Sequence, residues 1–173
     1  MKEIFARRSV RAFTDQTVDE EKVERLLRAG MQAPSAGNRQ PWEFVVVRNK
    51  EMLLALAEAS PYAKMMTTAD LAIVPCANLG RANYEQQEWW VQDLSASTQN
   101  ILLQAVSEGL GACWVGIHPG EDRVEGVQAL LGLPNSVVPL CVIAVGHPDG
   151  EATPMDRYQP QRVHFEHYNE HKG

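Results

Sequence analysis

Val91, Leu94, Thr98, Ile101, Leu102, Ala105 and Val106 recur at helical spacing, and a largely apolar stripe of that length is stable only when a packed molecule surrounds it. It predicts the central, most buried helix of the fold, ended at Gly109-Leu110-Gly111. Around that helix the chain alternates two periodicities. Trp42-Glu43-Phe44-Val45-Val46-Val47, bounded by Pro41 and Asn49, is β-branched and aromatic and reads as a strand, with an amphipathic segment following over residues 50–59. Residues 71–77, 112–117 and 137–145 read as further strands. Thr17-Val18-Asp19-Glu20 has the form of a capping box; Val23, Leu26, Leu27 and Met31 then keep helical spacing until Pro34, so a helix is expected over residues 17–33. Val124, Val127, Leu130 and Leu131 predict another, closed by Gly132. Helices and strands interleaved in this way build layers around one sheet, and the class is α/β or α+β.

At 173 residues and 45% hydrophobic, the chain can bury one core and is short for two enzyme domains, so residues 1–173 are read as a single domain. With 22 Asp and Glu against 16 Lys and Arg the net charge is -6, which argues against nucleic-acid and anionic-membrane binding, because both need a broad positive field. No stretch approaches the roughly 20 apolar residues of a membrane span, and the N-terminus has no signal-peptide pattern. A cytoplasmic protein is expected. Cys76, Cys113 and Cys141 are odd in number and each sits in an apolar run, which reads as reduced, buried, structural thiols. His164, His167 and His171 could share a helical face, but no further ligand is placed by spacing, so they read as a hydrated tail and no metal is expected.

Against this acidic background Arg7-Arg8-Ser9-Val10-Arg11 reverses the local charge. Arginine presents a planar fork of donors that fits phosphate, and Ser9 adds a short neutral donor, so the segment suits an anion such as a cofactor phosphate. A solvated basic turn is the other reading. The chain carries no G-x-S-x-G elbow, no H-E-x-x-H and no phosphate-binding P-loop. Gly109-Leu110-Gly111 resembles half of a dinucleotide fingerprint, yet it follows a helix and precedes a strand, the reverse of the required order. No general base is placed by local spacing, which suits an enzyme whose cofactor does the chemistry.

A second constellation follows the first long helix. In Ala33-Pro34-Ser35-Ala36-Gly37-Asn38-Arg39-Gln40-Pro41-Trp42, small residues admit close approach of a flat ligand and Ser35, Asn38 and Gln40 supply polar groups; a loop of ordinary turn formers is the plainer reading. Arg-Arg-Ser-Val-Arg, a capped helix, and this segment, in that order and spacing, closely resemble the opening of the FMN-dependent nitroreductase family, in its short, NAD(P)H-dependent flavin oxidoreductase form. The likeness continues through residues 89–100, Gly109-Leu110-Gly111-Ala112-Cys113-Trp114-Val115-Gly116-Ile117, Gly132-Leu133-Pro134, Val145-Gly146-His147-Pro148 and the closing residues 156–164. Residues 60–69 and 80–88 match loosely.

The resemblance implies an α+β fold with a central mixed, mainly antiparallel sheet flanked by helices, working as an intertwined homodimer with FMN at the subunit interface. By the same resemblance Arg7, Arg8 and Ser9 hold the FMN phosphate and ribityl chain, joined by Arg162. Arg11 reaches the pyrimidine edge of the flavin, where a cation favours the reduced ring. Pro34, Ser35, Ala36 and Asn38 line the ring from the other subunit, and Trp114, Val115 and Gly116 pass along it, with the Gly116 N–H a donor to flavin N5. Gly116 stands where larger relatives carry a glutamate, and Ala36 replaces a common serine. The short segment between the Phe44 and Leu71 strands leaves little room for the lid of the related iodotyrosine deiodinases. The implied activity is ping-pong hydride transfer from NADH or NADPH to a small acceptor such as a nitroaromatic or quinone, with Tyr84, Trp89 and Trp90 as candidate pocket walls or simply core packing. A flavin-binding sensor or store, a reductive dehalogenase and a flavin-fragmenting enzyme are the alternatives on the same scaffold.

Overall fold

The structure, a computed structural model, describes residues 2–82, 88–151, 153 and 155–169. Helix α1 (Lys2–Ala6) is a single short turn, and α2 (Glu20–Met31) is followed by strand β1 (Trp42–Val47) and helix α3 (Lys50–Glu58). Strand β2 (Leu71–Asn78) precedes the long helix α4 (Trp89–Ser107), β3 (Gly111–Gly116), α5 (Glu121–Leu131), β4 (Val137–Pro139) and β5 (Cys141–Gly146). The sheet runs β1-β2-β5-β3 with β4 beside β2, and every pair of named strands is antiparallel. A parallel bridge between Ser9 and Ala112 makes the sheet mixed. The expected strand 137–145 is thus two pieces. At Leu140 the register against β2 slips by one residue, from Cys76 opposite Pro139 to Ile73 opposite Ile143; the Leu140 N–H donates to Pro75 and its carbonyl accepts from both Ile117 and His118.

Because side chains alternate across a strand, each strand feeds two cores. Leu71, Ile73, Cys141, Ile143, Val145 and Ala112 face α2 and α4, which supply Val23, Leu26, Leu94, Ile101 and Ala105. Ala72, Val74, Cys76, Val142, Ala144 and Val115 face the other way, against Leu53 and Leu56 of α3, Met65, Met66 and Val127 of α5. The result is a three-layer sandwich with a sheet buried on both faces, which explains why its strands read as continuous apolar runs. Leu94, Ile101 and Ile143 are 0% exposed, and each such side chain stabilises the fold by about 1.5–3 kcal/mol relative to exposure. The α4 stripe read from the sequence is the spine of the first core.

Helix α2 begins later than its capping-box reading. Asp19, not Thr17, precedes it, and no side chain caps it. The entry is fixed instead by Arg48, which donates to Asp70 at 2.6 Å and to the Val18 carbonyl at 2.7 Å and pairs with Glu20 at 3.1 Å, while Asp70 also accepts from the Val18 N–H. Glu20 therefore spends its carboxylate on a tertiary ion pair rather than on a reciprocal cap. Helix α3 does carry a side-chain cap, Asn49 Oδ1 accepting from the Met52 N–H at 3.0 Å.

Candidate functional site

The arginine segment lies as a strap on the end of the sheet. Val10 N–H donates to the Ala112 carbonyl at 3.0 Å, Thr14 N–H to His147, and Asp149 N–H to Ala12, so residues 9–14 are held between β3 and the chain leaving β5. Two glycines admit this approach. A Cβ on Gly111 would stand 2.7 Å from Val10 Cγ1, and one on Gly146 would stand 2.9 Å from Phe13 Cδ1. The glycine of the half-fingerprint is there to seat a side chain, not a nucleotide.

Two clefts open along the strap. One, of about 340 Å³, is lined by Arg8, Ser9, Val10, Arg11, Ala12, Asp149, Gly150 and Glu151. Its neighbour, of about 460 Å³, shares Arg11, Ala12 and Asp149 and adds Phe13, Pro61, Tyr62, Lys64, Met65, Thr67, Thr68, Cys113 and Trp114. Arg11 is the cation common to both. Arg8 donates through Nε to Thr153 and through Nη1 to the Phe5 and Arg7 carbonyls, which leaves its buried Nη2 with no protein partner among the described residues. Arg11 makes a long bond to the Ser9 carbonyl, at 3.3 Å, and is exposed. An orphaned guanidinium nitrogen beside an exposed hydroxyl is a donor set for an anion.

On β3, Trp114 is half-buried and walls the larger cleft. Val115 points into the core and offers only its main chain. Gly116, at the strand end, is exposed, with open space where a Cβ would be. Arg123 holds the peptide that follows it by donating to the Gly116 carbonyl at 3.2 Å. Pro34, Ser35, Ala36 and Asn38 stand in the loop between α2 and β1, and Arg162 in an exposed turn, Pro160–Arg162; none lines either cleft of this chain. The chain unites the strap with β3 but not with the loop.

Trp90 is buried, its ring meeting that of His118 edge-on at 4.7 Å, and neither Trp89 nor Trp90 borders these clefts; Tyr84 lies outside the described residues. Burial pushes the His118 imidazole below its ordinary value. The cysteines are all free and buried. Desolvation pushes Cys76 and Cys141 up to about 12, and raises Cys113 although Arg11, Ser9 and Arg7 pull it down. None is set up as a thiolate nucleophile. Among the described residues no His, Cys, Asp and Glu group could hold a metal, and no helix is long and apolar enough to cross a membrane.

Sequence reasoning missed Tyr62, Lys64, Thr67, Thr68, Asp149 and Glu151 as cleft walls. They sit in segments without motif character, delivered to the strap by the β2 and β5 ends of the sheet, so no local signal marks them.

The fold is a three-layer α+β unit with two adjoining clefts at its sheet edge that share Arg11, the smaller also lined by Arg8. The nitroreductase family model matches residues 4–62 and 57–147. A protein of Archaeoglobus fulgidus assigned as an NADH dehydrogenase/NAD(P)H nitroreductase is 43% identical, over 96% of this chain and 97% of its own. The solved FMN-dependent nitroreductase of Clostridium difficile R20291 superposes with a TM-score of 0.88 at 29% identity, covering 97% of this chain and 100% of that one. A Desulfovibrio desulfuricans structure, assigned as a nitroreductase and determined in complex with FMN, matches with a TM-score of 0.82 at 28% identity, covering 96% of each chain. The chain belongs to the nitroreductase family, and with it to the NAD(P)H-dependent oxidoreductases that use FMN.

Proposed function

We propose that this chain acts as a homodimer that passes hydride from NADH or NADPH to an electron-poor acceptor such as a nitroaromatic or a quinone, the oxidised donor leaving before the acceptor arrives. The observation that carries the reading is Arg8 Nη2, buried and without a partner among the described residues, on a side chain that lines one cleft together with Ser9 and Arg11. A phosphate oxygen satisfies that donor and repays its desolvation. Arg7, Arg8 and Ser9 then hold the phosphate and ribityl chain, joined by Arg162 of the C-terminal segment.

Arg11, common to both clefts, stands where the phosphate end gives way to the wider cavity. Its charge there favours an anionic reduced ring over a neutral oxidised one. Trp114 and the main chain of Val115 and Gly116 would border the ring, with the Gly116 N–H as the donor to N5, while Arg123 holds the peptide that follows Gly116. The absent side chain at Gly116 leaves room for a flat ligand. Loop residues Pro34, Ser35, Ala36 and Asn38 serve the site of the other subunit, which accounts for their distance from the clefts of their own chain. Tyr62 and Trp114 give the larger cleft aromatic walls suited to a flat acceptor. When bound, FMN would supply the hydride-transfer chemistry.

The test is anaerobic. The purified protein carries, or takes up, a flavin spectrum that NADH or NADPH bleaches and a nitroaromatic or quinone restores. Colour without bleaching supports a flavin store or sensor instead, and a protein that takes up no FMN ends the reading. Arg11→Ala slows flavin reduction roughly tenfold or more while FMN retention falls less; unchanged reduction kinetics would remove Arg11 from its role.

A further inference from the structure

The loop between α2 and β1 is bent through three left-handed residues, of which Gly37 and Asn38 suit that conformation and Gln40 does not. Gly37, Asn38 and Gln40 all have left-handed backbones, with φ of 56, 54 and 48°. Outside glycine that region is sparsely populated and persists where surrounding bonds over-determine it. Part of the restraint is internal: Gln40 N–H donates to Ser35 Oγ and Gln40 Nε2 to Asn38 Oδ1, both at 3.0 Å. These bonds close the loop upon itself. They do not say where it stands.

Its place is set from α4. Ala36 N–H donates to Asp93 Oδ1 at 2.9 Å, and Asp93 is 5% exposed, unusual burial for an acidic residue. Asp93 belongs to a face of α4 that grips the end of α2 turn by turn. Ser97 and Ile101 pack so closely on Gly30 that a Cβ there would stand 3.0 Å from Ile101, and Asn100 donates to the Ala29 carbonyl at 3.1 Å. Helix α4 is the core's spine, so a side chain rooted in it is a fixed post.

We infer that Asp93 is a positioning residue: through the Ala36 N–H it locks loop 34–40 in the bent form that presents Ser35 and Asn38 to a flavin. That last step rests on the reading of the loop given above. With their acceptor oxygens engaged by Gln40, the Ser35 hydroxyl hydrogen and the Asn38 amide N–H groups remain as donors for a ligand. The loop need not be ordered by the cofactor, because Asp93 orders it beforehand, and a site that is already shaped binds without that cost.

Arg39 is exposed in this loop and gives trypsin a cleavage point that reports loop opening without any flavin. In flavin-free protein, Asp93→Leu raises the rate of cleavage after Arg39 by roughly tenfold or more, whereas Asp93→Asn, which keeps an acceptor oxygen, stays close to wild type. In loaded protein, Asp93→Leu weakens FMN retention and alters the visible circular dichroism of the flavin, and Asp93→Asn restores both. Should Asp93→Leu not fold, hydrogen exchange on the unaltered chain decides: the Ala36 amide exchanges as slowly as buried α4 amides and far more slowly than that of Gly37. Unchanged cleavage in Asp93→Leu, equal acceleration in Asp93→Asn, or an Ala36 amide as fast as Gly37 overturns the inference. A wild type that binds no FMN sinks the functional reading alone, since the cleavage and exchange arms contain no flavin.

Discussion

Single side chains in this molecule act mostly by joining segments that are far apart in the chain. Glu108, just past the end of α4, accepts from Arg25 of α2 through Nε at 2.7 Å and Nη2 at 3.0 Å and from Gln104 at 2.8 Å. The Arg25 bond holds the Glu108 carboxyl below its ordinary value, against the opposing effect of desolvation, with further help from Gln104 and Lys22. A lowered carboxyl contributes stability above its unfolded value and loses it as pH falls through the folded one. Glu108→Gln is therefore expected to lower Tm modestly at pH 7, since Arg25 is solvent-screened, and the gap to wild type should close as pH drops below about 4. A gap that persists in acid would assign the effect to packing. Neither Glu108 nor Arg25 belongs to a local motif, and their pairing was illegible until α2 and α4 were seen to run antiparallel. Arg8 and Arg11 differ: their clustering suited an anion or a solvated turn, and the family resemblance weighed for the anion.

At the scale of elements, the strands and helices followed from periodicity because nearly every one is buried on a face that its pattern declares. The strand over 42–47 and the spine of α4 came through whole for that reason. The capping box failed where a tertiary bond outbid a local one, at Glu20, drawn to Arg48 instead of a cap, and the last strand divided at Leu140, where its register on β2 slips by one residue. The contact between the strap and β3 is the element-scale feature with the sharpest functional consequence. Gly111→Ala puts a Cβ 2.7 Å from Val10, so it is expected to displace the strap and weaken FMN retention several-fold while far-UV circular dichroism stays native. Val10→Gly in the same chain should recover retention, and failure of that double variant would mean that Gly111 matters for its backbone rather than for Val10. Had the strap been docked on β3 by its arginines, Gly111 would tolerate alanine.

The whole molecule is one half of the proposed site. The strap and β3 end share a pair of clefts, whereas residues 34–38, fixed to Asp93, line neither. With each chain 19.3 kDa, light scattering on the FMN-loaded protein should return a mass of roughly twice that, and dilution into monomer should release the flavin in step with dissociation. A monomer that retains FMN would place the entire site in one chain. What the sequence determined by itself was whatever rests on residue type and spacing: helices and strands layered around one sheet, buried thiols, an arginine cluster whose residue types suit an anion, and the order of segments by which it resembles its family. Tertiary structure alone decided which cations share a cleft, that Gly111 exists to seat Val10, and that a buried aspartate far along the chain fixes the loop after α2. Those outcomes depend on distances between segments, and a linear pattern carries no term for them until the sheet and α4 have closed the chain.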